Sequence, residues 1–494
     1  MAWSGDGERE SPPQEPPPPL PLCITHKFEP TGDCVRKNTM WSALELRHVD
    51  LGDQRLNRRL VKLVDDFAKA PEASVPEASG TWAATKAAYR FWDNDRVDPD
   101  DIRDAHRNST LERLPDAHDE PVLAVQDTTP VDFTDHPCTQ ALGYLAGKRR
   151  RGLWLHSTLA VSADGVPLGL VDQRTWTRDL ATLGKRAQRN KKATAEKESQ
   201  RWLDALAATE KALPAGQMVI TVADREADFY DLFAAPRRPG SHLLIRAKPR
   251  RRVRHTERLL GQALRATASA GTMTVDLRRG DDRPPRQAVL TIRFAALEIA
   301  PPSNHPRRKE LPHLKLTAIL AEEEDPPPGQ KPVRWWLLTT LPIATLADAM
   351  QAVRWYARRW LVERYHFVLK SGCQVEKLQL GTAKRLERAL ATYAIVAWRL
   401  LWLTYEARRA PDASCETVLP REQWQVLHCA VNKTDTVPAT PPSLREAVRQ
   451  IARLGGFLAR KADGEPGVKT IWRGLRRLED LVLGYRLSRK NRGP

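Results

Sequence analysis

Three acidic residues stand where a carboxylate could do chemistry: Asp127 in AVQDTTP, Asp224 in TVADREADFYD and Glu363 in WYARRWLVERYHFVLKSG. None has a cysteine or a histidine cluster beside it. Oxygen donors of this kind suit a hard cation, Mg²⁺ or Mn²⁺. Such a site can hold two ions ~3.5–4 Å apart, one at the attacking and one at the leaving oxygen of an in-line phosphoryl transfer. Each aspartate also has a plainer reading, which is the stronger one when it is taken singly. Asp127 could form a turn with Thr128 and Thr129, and Asp224 could cap the helix after it. Asp228, in the same DREAD string, reads as a first-turn residue favoured by the helix dipole.

Glu363 changes the balance. The run 344–370 reads as one long helix, with Tyr356 and Lys370 seven residues either side of Glu363 and Arg359 four before it. Residues seven apart in an α-helix differ by ~20° in direction and residues four apart by ~40°, so Tyr356, Arg359, Glu363 and Lys370 should share a face. An exposed Arg–Glu pair contributes only ~0.3–0.5 kcal/mol, and here the acid follows its base, the poorer order. A carboxylate that holds a metal, with cations and a phenol that hold phosphate oxygens, explains the face better. Trp360 falls near the stripe, and Leu361, Val362, Val368 and Leu369 would anchor the helix to a sheet.

The elements that must position these residues are legible in outline. PVLAVQD and QMVITVAD are short apolar runs that end in aspartate, which predicts buried strands whose ends border a ligand crevice. LWLHSTLAVS and VPLGLVDQRTW, joined by ADG, predict a hairpin. A long charged helix is expected over 194–213, and SHLLIRAK is a further strand. Residues 249–333 are basic and strand-like (TMTVDL, AVLTIRF, LKLTAILA) with proline-rich joints, and WWLLTTLPI follows as another strand. The stretch 40–107 is helical, with Leu56, Leu60, Leu63 and Phe67 at three- and four-residue spacings and a second helix over TWAATKAAYRFWDN. It reads equally as a DNA-contacting module or a helical cap. Residues 381–494 are mostly helical, and no internal repeat is visible. The fold class expected is therefore a mixed α/β core with a β-rich insertion, flanked by helical ends. The segments are 1–39, 40–107, 108–380 with the insertion at about 249–333, and 381–494.

Lys and Arg outnumber Asp and Glu by 79 to 61, a net charge of +18 that favours a polyanionic partner. The cysteines (Cys23, Cys34, Cys138, Cys373, Cys415 and Cys429) are scattered without a CxxC pair, which suits a reducing cytoplasm and neither a disulfide framework nor a zinc site. No stretch approaches the ~20 apolar residues of a membrane span. The nearest, 393–404, is interrupted by Arg399 and reads as a core helix. Residues 1–39 are proline-rich and poor in aliphatics, a tail expected to be disordered, with Met40 as an alternative start.

Tyr356-x2-Arg359-x3-Glu363-x6-Lys370 is similar to the signature of the insertion-sequence-four type of bacterial DDE transposase, the group that includes the transposon-five enzyme. AVQDTTP and VADREADFYD resemble the segments that carry that family's two catalytic aspartates. The separations, 97 and 139 residues, suit a member with a β insertion before the last acid. LGDQRLNRRL and KAAYRFWDN resemble its N-terminal end-recognition domain, and GGFLARKADGEPGVKTIWRG a C-terminal segment, so the likeness spans about 40–490.

The resemblance implies a ribonuclease H-like core in which Asp127, Asp224 and Glu363 are catalytic and bind Mg²⁺ (Mn²⁺ able to substitute), with two ions per site. It implies cut-and-paste transposition through hairpin ends, a helical end-binding domain at 40–107 and a dimerisation domain at 381–494. The partners implied are double-stranded DNA, as terminal inverted repeats and as target, and a second copy in a homodimeric synaptic complex. The setting would be the bacterial cytoplasm, at the nucleoid when bound. Trp335, 21 residues before Tyr356, aligns with a tryptophan that stacks on a flipped base, though adjacent Trp336 competes for the role. Tyr356, Arg359, Lys370, Arg246 and Lys248 take DNA-binding positions. Phe367 departs from relatives that carry lysine there, with Arg364 as a possible replacement. His366 matches a family histidine, for which packing is the favoured reading. The competing readings are a nuclease of this fold without strand transfer, a DNA-binding derivative that has lost its chemistry, and a basic scaffold protein.

Overall fold

Alternation and turn chemistry resolve into ten strands among the described residues of the computed structural model. It describes residues 40–491 apart from 117–119, 146–148, 183–193, 255–258, 278–284, 304, 306–307 and 461–462. The expected tail over 1–39 lies outside the described residues. The strands are β1 (Val122–Asp132), β2 (Gly143–Tyr144), β3 (Arg151–Val161), β4 (Pro167–Trp176), β5 (Val219–Ala223), β6 (Ser241–Arg246), β7 (Gly271–Leu277), β8 (Arg286–Ile299), β9 (Leu314–Glu322) and β10 (Arg334–Thr339).

All ten form one sheet, ordered β4-β3-β1-β5-β6-β10-β9-β8-β7, with β2 also against β3. β4, β3 and β1 are antiparallel, and β1, β5 and β6 are parallel. β10 joins β6 antiparallel and brings the insertion into the same sheet. β5 (VITVA) is buried throughout, as a strand covered on both faces must be, whereas β7 alternates. This mixed sheet between helical N- and C-terminal regions is the ribonuclease H-like arrangement with a β-rich insertion.

The longer helices are α1 (Gln54–Lys69), α2 (Trp82–Asp93), α3 (Pro99–Leu111), α4 (Gln200–Ala212), α5 (Leu346–Ala357), α6 (Trp360–Phe367), α7 (Ala383–Arg409), α8 (Arg421–Asn432), α9 (Leu444–Leu454) and α10 (Val468–Asn491). In α1, Leu60, Leu63 and Phe67 are buried as their spacing predicts, and Leu56 packs at the margin. Phe67 stacks on Tyr393 of α7 at 4.7 Å and on Trp92 of α2 at 5.7 Å. The apolar run 393–404 lies within α7, the buried spine between the N-terminal helices and the sheet. Among the described residues no helix is long and apolar enough to cross a membrane.

Three expectations need correction. The helix expected over 194–213 is a short 3₁₀ turn at Thr194–Glu196 followed by α4. The single helix over 344–370 is broken. α5 starts at a reciprocal cap between Thr345 and Asp348 and ends at Ala357. The ladder then tightens, with Arg358 N–H to Trp355 O, Arg359 N–H to Tyr356 O and Leu361 N–H to Arg358 O. After α6 a π-helical turn covers Val368–Gly372. Finally, Asp127 does not end its strand: β1 runs on to Asp132 because β3 is long enough to pair with it throughout, and Thr128 and Thr129 are strand residues opposite His156 and Leu155.

Candidate active site

Only part of β1 has two neighbours. Its parallel pairing with β5 runs from Val122–Val219 to Val125–Val222 and stops, so Asp127 lies just past the tip of β5 and Asp224 follows that tip directly. Of the two expected strand ends, only that of β5 is a strand terminus, and β1 runs on past it. Asp224 also serves as a cap: its Oδ1 accepts from Glu226 N at 2.8 Å, at the head of the 3₁₀ turn Arg225–Ala227.

Asp127 and Ser157 are cross-strand neighbours, and His366 of α6 reaches both. Its Nδ1 is 3.7 Å from Asp127 Oδ2 and its Nε2 is 3.2 Å from Ser157 Oγ. His366 is buried, so packing is part of its role, but it packs against a candidate ligand. Ser157 Oγ also accepts from Gln173 Nε2 at 3.2 Å, and the same Gln173 nitrogen donates to Tyr365 Oη at 2.8 Å. A buried polar network thus backs Asp127.

Glu363 Oε1 accepts from Arg359 Nη2 at 2.5 Å. Burial pushes the Glu363 carboxyl above the ordinary glutamate range, Arg359 pulls it back, and the charge of Asp127 pushes it further up. Tyr356 is buried in the field of Arg359, Arg246 and Asp224, and burial raises its phenol. The ring of Trp335 meets Tyr356 edge-on at 5.5 Å, while Trp336 is 4 % exposed on the other face, under Arg265. Arg246 ends β6 and donates from Nη2 to Arg334 O at 3.2 Å.

Asp127, Asp224, Glu363, Tyr356, Arg359, Arg246 and Trp335 are thereby brought together. Lys370 is not held by Glu363: the π-helical turn carries it to Glu376, with Nζ 3.5 Å from Oε1. Lys248 is exposed on the loop after β6, where its main-chain N–H donates to Asp228 Oδ2 at 2.7 Å. That loop also corrects the reading of Asp228, which is a buried anchor gripped by Arg251 rather than a first-turn helix residue. Arg364 lies over the Phe367 ring at 5.1 Å.

Two groups at the site escaped the sequence reading. Glu226 is a further carboxylate there: burial raises it, Arg201 opposes, and Asp224 and Asp127 raise it further. Arg201 binds Thr128 and Glu226. Nothing in KESQRWL distinguishes this arginine from other basic residues on charged helices.

As the side chains stand, no three acidic, histidine or cysteine groups among the described residues converge closely enough to enclose an ion. The donor chemistry nonetheless fits a hard divalent cation. Asp127, Asp224 and Glu363 offer oxygens only, and the mutual repulsion of Asp127 and Glu363 is what a cation would relieve.

Three family models match the chain: transposase DNA-binding over residues 38–97, the transposase DDE domain over 124–399 and the transposase Tn5 dimerisation domain over 395–492. The DDE match covers more than half the chain, and the protein belongs to the DDE transposase family. With the other two matches it is a Tn5-like member, with segments for DNA binding and for pairing with a second copy.

Proposed function

We propose that this DDE transposase is a cut-and-paste enzyme that excises an insertion sequence by metal-dependent strand cleavage through hairpin ends and joins its 3′ ends to target DNA. The observation that supports the reading is the placement of Asp127 and Asp224 at the tip of β5, with Glu363 near enough to Asp127 for their charges to repel and Arg359 and Tyr356 alongside. Mg²⁺, or Mn²⁺ in its place, as two ions on these carboxylates, would supply activation of the attacking oxygen and neutralisation of the scissile phosphate.

The chain's own groups do the rest. Arg359, Tyr356 and Arg246 hold phosphate oxygens and fix the strand in line, while Lys248 and Lys370 bind phosphates further along the DNA. Trp335, half-buried against Tyr356, offers a ring face to a base turned out of the bent hairpin. The helical module from residue 40 to 107 holds the terminal inverted repeat, and the helices from 381 onward pair two copies in the synaptic complex. The work is done on nucleoid DNA in the cytoplasm.

Asp127→Ala, Asp224→Ala and Glu363→Ala should each abolish Mg²⁺-dependent cleavage of end DNA, with band-shift affinity for that DNA kept. Normal cleavage by any one of them removes that residue from the triad. Cleavage by the wild type without hairpin or strand-transfer products would reduce the protein to a nuclease.

A further inference from the structure

Where β1 and β5 part company after Val125 and Val222, their main-chain ladder stops setting the distance between Asp127 and Asp224. A side chain from α4 crosses the gap. Arg201 donates from Nε to Thr128 Oγ1 at 2.9 Å and from Nη2 to Glu226 Oε2 at 2.7 Å. Thr128 is the residue after Asp127. Glu226 supplies the main-chain N–H that Asp224 Oδ1 accepts. One guanidinium therefore reaches both aspartates through one intermediary each.

The guanidinium is itself held firmly. Its Nη1 donates to Glu198 O at 2.7 Å, and its carbon lies 5.3 Å from the Trp202 ring and 5.6 Å from the Trp176 ring. The side chain is only 13 % exposed. Glu198 in turn is gripped by Nε and Nη2 of Arg178, which lies 3.8 Å over Trp154. On the other side, the Thr128 hydroxyl accepts from Arg201 and also shares a hydrogen bond with His156 Nδ1 at 2.8 Å. A planar fork with fixed acceptors on three sides has little freedom to shift.

We propose that Arg201 is a positioning residue that sets the separation of Asp127 and Asp224, and thereby the fit of that pair to a divalent cation. The inference rests on the reading of these aspartates as metal ligands. Outer-shell partners of this kind change metal affinity by ~10- to 100-fold when removed. Removing an ion pair that merely tightened the core would lower thermal stability and leave metal affinity alone.

The test is an Mn²⁺ titration of the full chain, followed by the EPR signal of the free ion, with the thermal midpoint of each variant measured alongside. Arg201→Gln and Thr128→Val should bind Mn²⁺ ~10- to 100-fold more weakly than wild type. Thr128→Ser, which keeps the oxygen, should recover what Thr128→Val loses. Asp127→Ala is the reference. If it loses Mn²⁺ while folded Arg201→Gln and Thr128→Val bind like wild type, the positioning role is overturned and the triad stands. If Asp127→Ala also binds like wild type, the triad reading fails and this inference fails with it. Should Arg201→Gln not fold, Thr128→Val decides alone, and unchanged affinity there overturns the proposal.

Discussion

Trp335 and Trp336 sit side by side with opposite surroundings, one edge-on to Tyr356 and half-buried, the other sealed beneath Arg265. Substitutions should separate them. Trp336→Ala should cost about 3–5 kcal/mol in chemical denaturation, as buried tryptophans do. Trp335→Ala should cost far less and instead impair hairpin formation more than first-strand nicking, resolved on a denaturing gel. Equal loss of both steps would count against base stacking. Strand alternation in the sequence shows that one of the pair must face each way; which one faces Tyr356 needed the fold or the family. Arg201 was illegible for a different reason. Its partners Thr128 and Glu226 are 73 and 25 residues away, and no local pattern encodes a meeting of three separate segments.

Helical phase was readable from the sequence only as far as the helix was continuous. Arg359 and Glu363, four apart across the start of α6, do pair, but the π-helical turn rotates Lys370 out of register and onto Glu376. The tight joint between helical module and core was equally invisible in outline. Glu45, in the short helix Trp41–Glu45, meets His106 of α3 at 2.6 Å and Arg113 at 2.7 Å, and Arg113 donates to Leu168 O of β4. Leu170 N–H donates to His106 Nε2, so Nδ1 carries the proton given to Glu45 and the ring is neutral. Burial depresses His106 below its ordinary value of 6.5 despite the pull of Glu45. Burial alone would raise Glu45, but His106 and Arg113 hold it below its ordinary 4.5. The unfolded chain therefore takes up these protons more readily than the folded one, and stability is lost as pH falls, first below ~6.5 through His106 and then below ~4.5 through Glu45. The thermal midpoint should drop between pH 7 and pH 5, and His106→Gln should flatten that part of the profile. An unchanged slope would take His106 out of the acid response.

Over the whole molecule, a net charge of +18 makes electrolyte a direct probe of DNA engagement. If six to ten phosphates are neutralised, affinity for end DNA should fall by ~10³- to 10⁵-fold between 50 and 200 mM salt in a filter-binding series. A flat response would remove phosphate contact as the main source of binding. The order of the large pieces (helical module, α/β core, β insertion, helical end) was readable from shifts in periodicity and composition. The joining of core and insertion into one ten-stranded sheet was not, because it depends on Leu337 of β10 pairing with Arg246 of β6 across the whole insertion. A strand announces itself locally, whereas its partner does not.

The π-helical turn after α6 has one more consequence. At Gly372 an added methyl group would come within 3.0 Å of the Trp472 ring, and the Phe367 ring stands 5.8 Å from the same indole. Trp472 belongs to α10, inside the segment matched to the dimerisation domain, while Phe367 and Gly372 follow Glu363 on the chain. The turn after α6 and the helix α10 are thus packed too closely there for a side chain at position 372 without adjustment. Glycine acts there as a spacer of zero thickness, and a Gly372→Ala change would force the Trp472 ring or the turn after α6 to shift by a few tenths of an ångström.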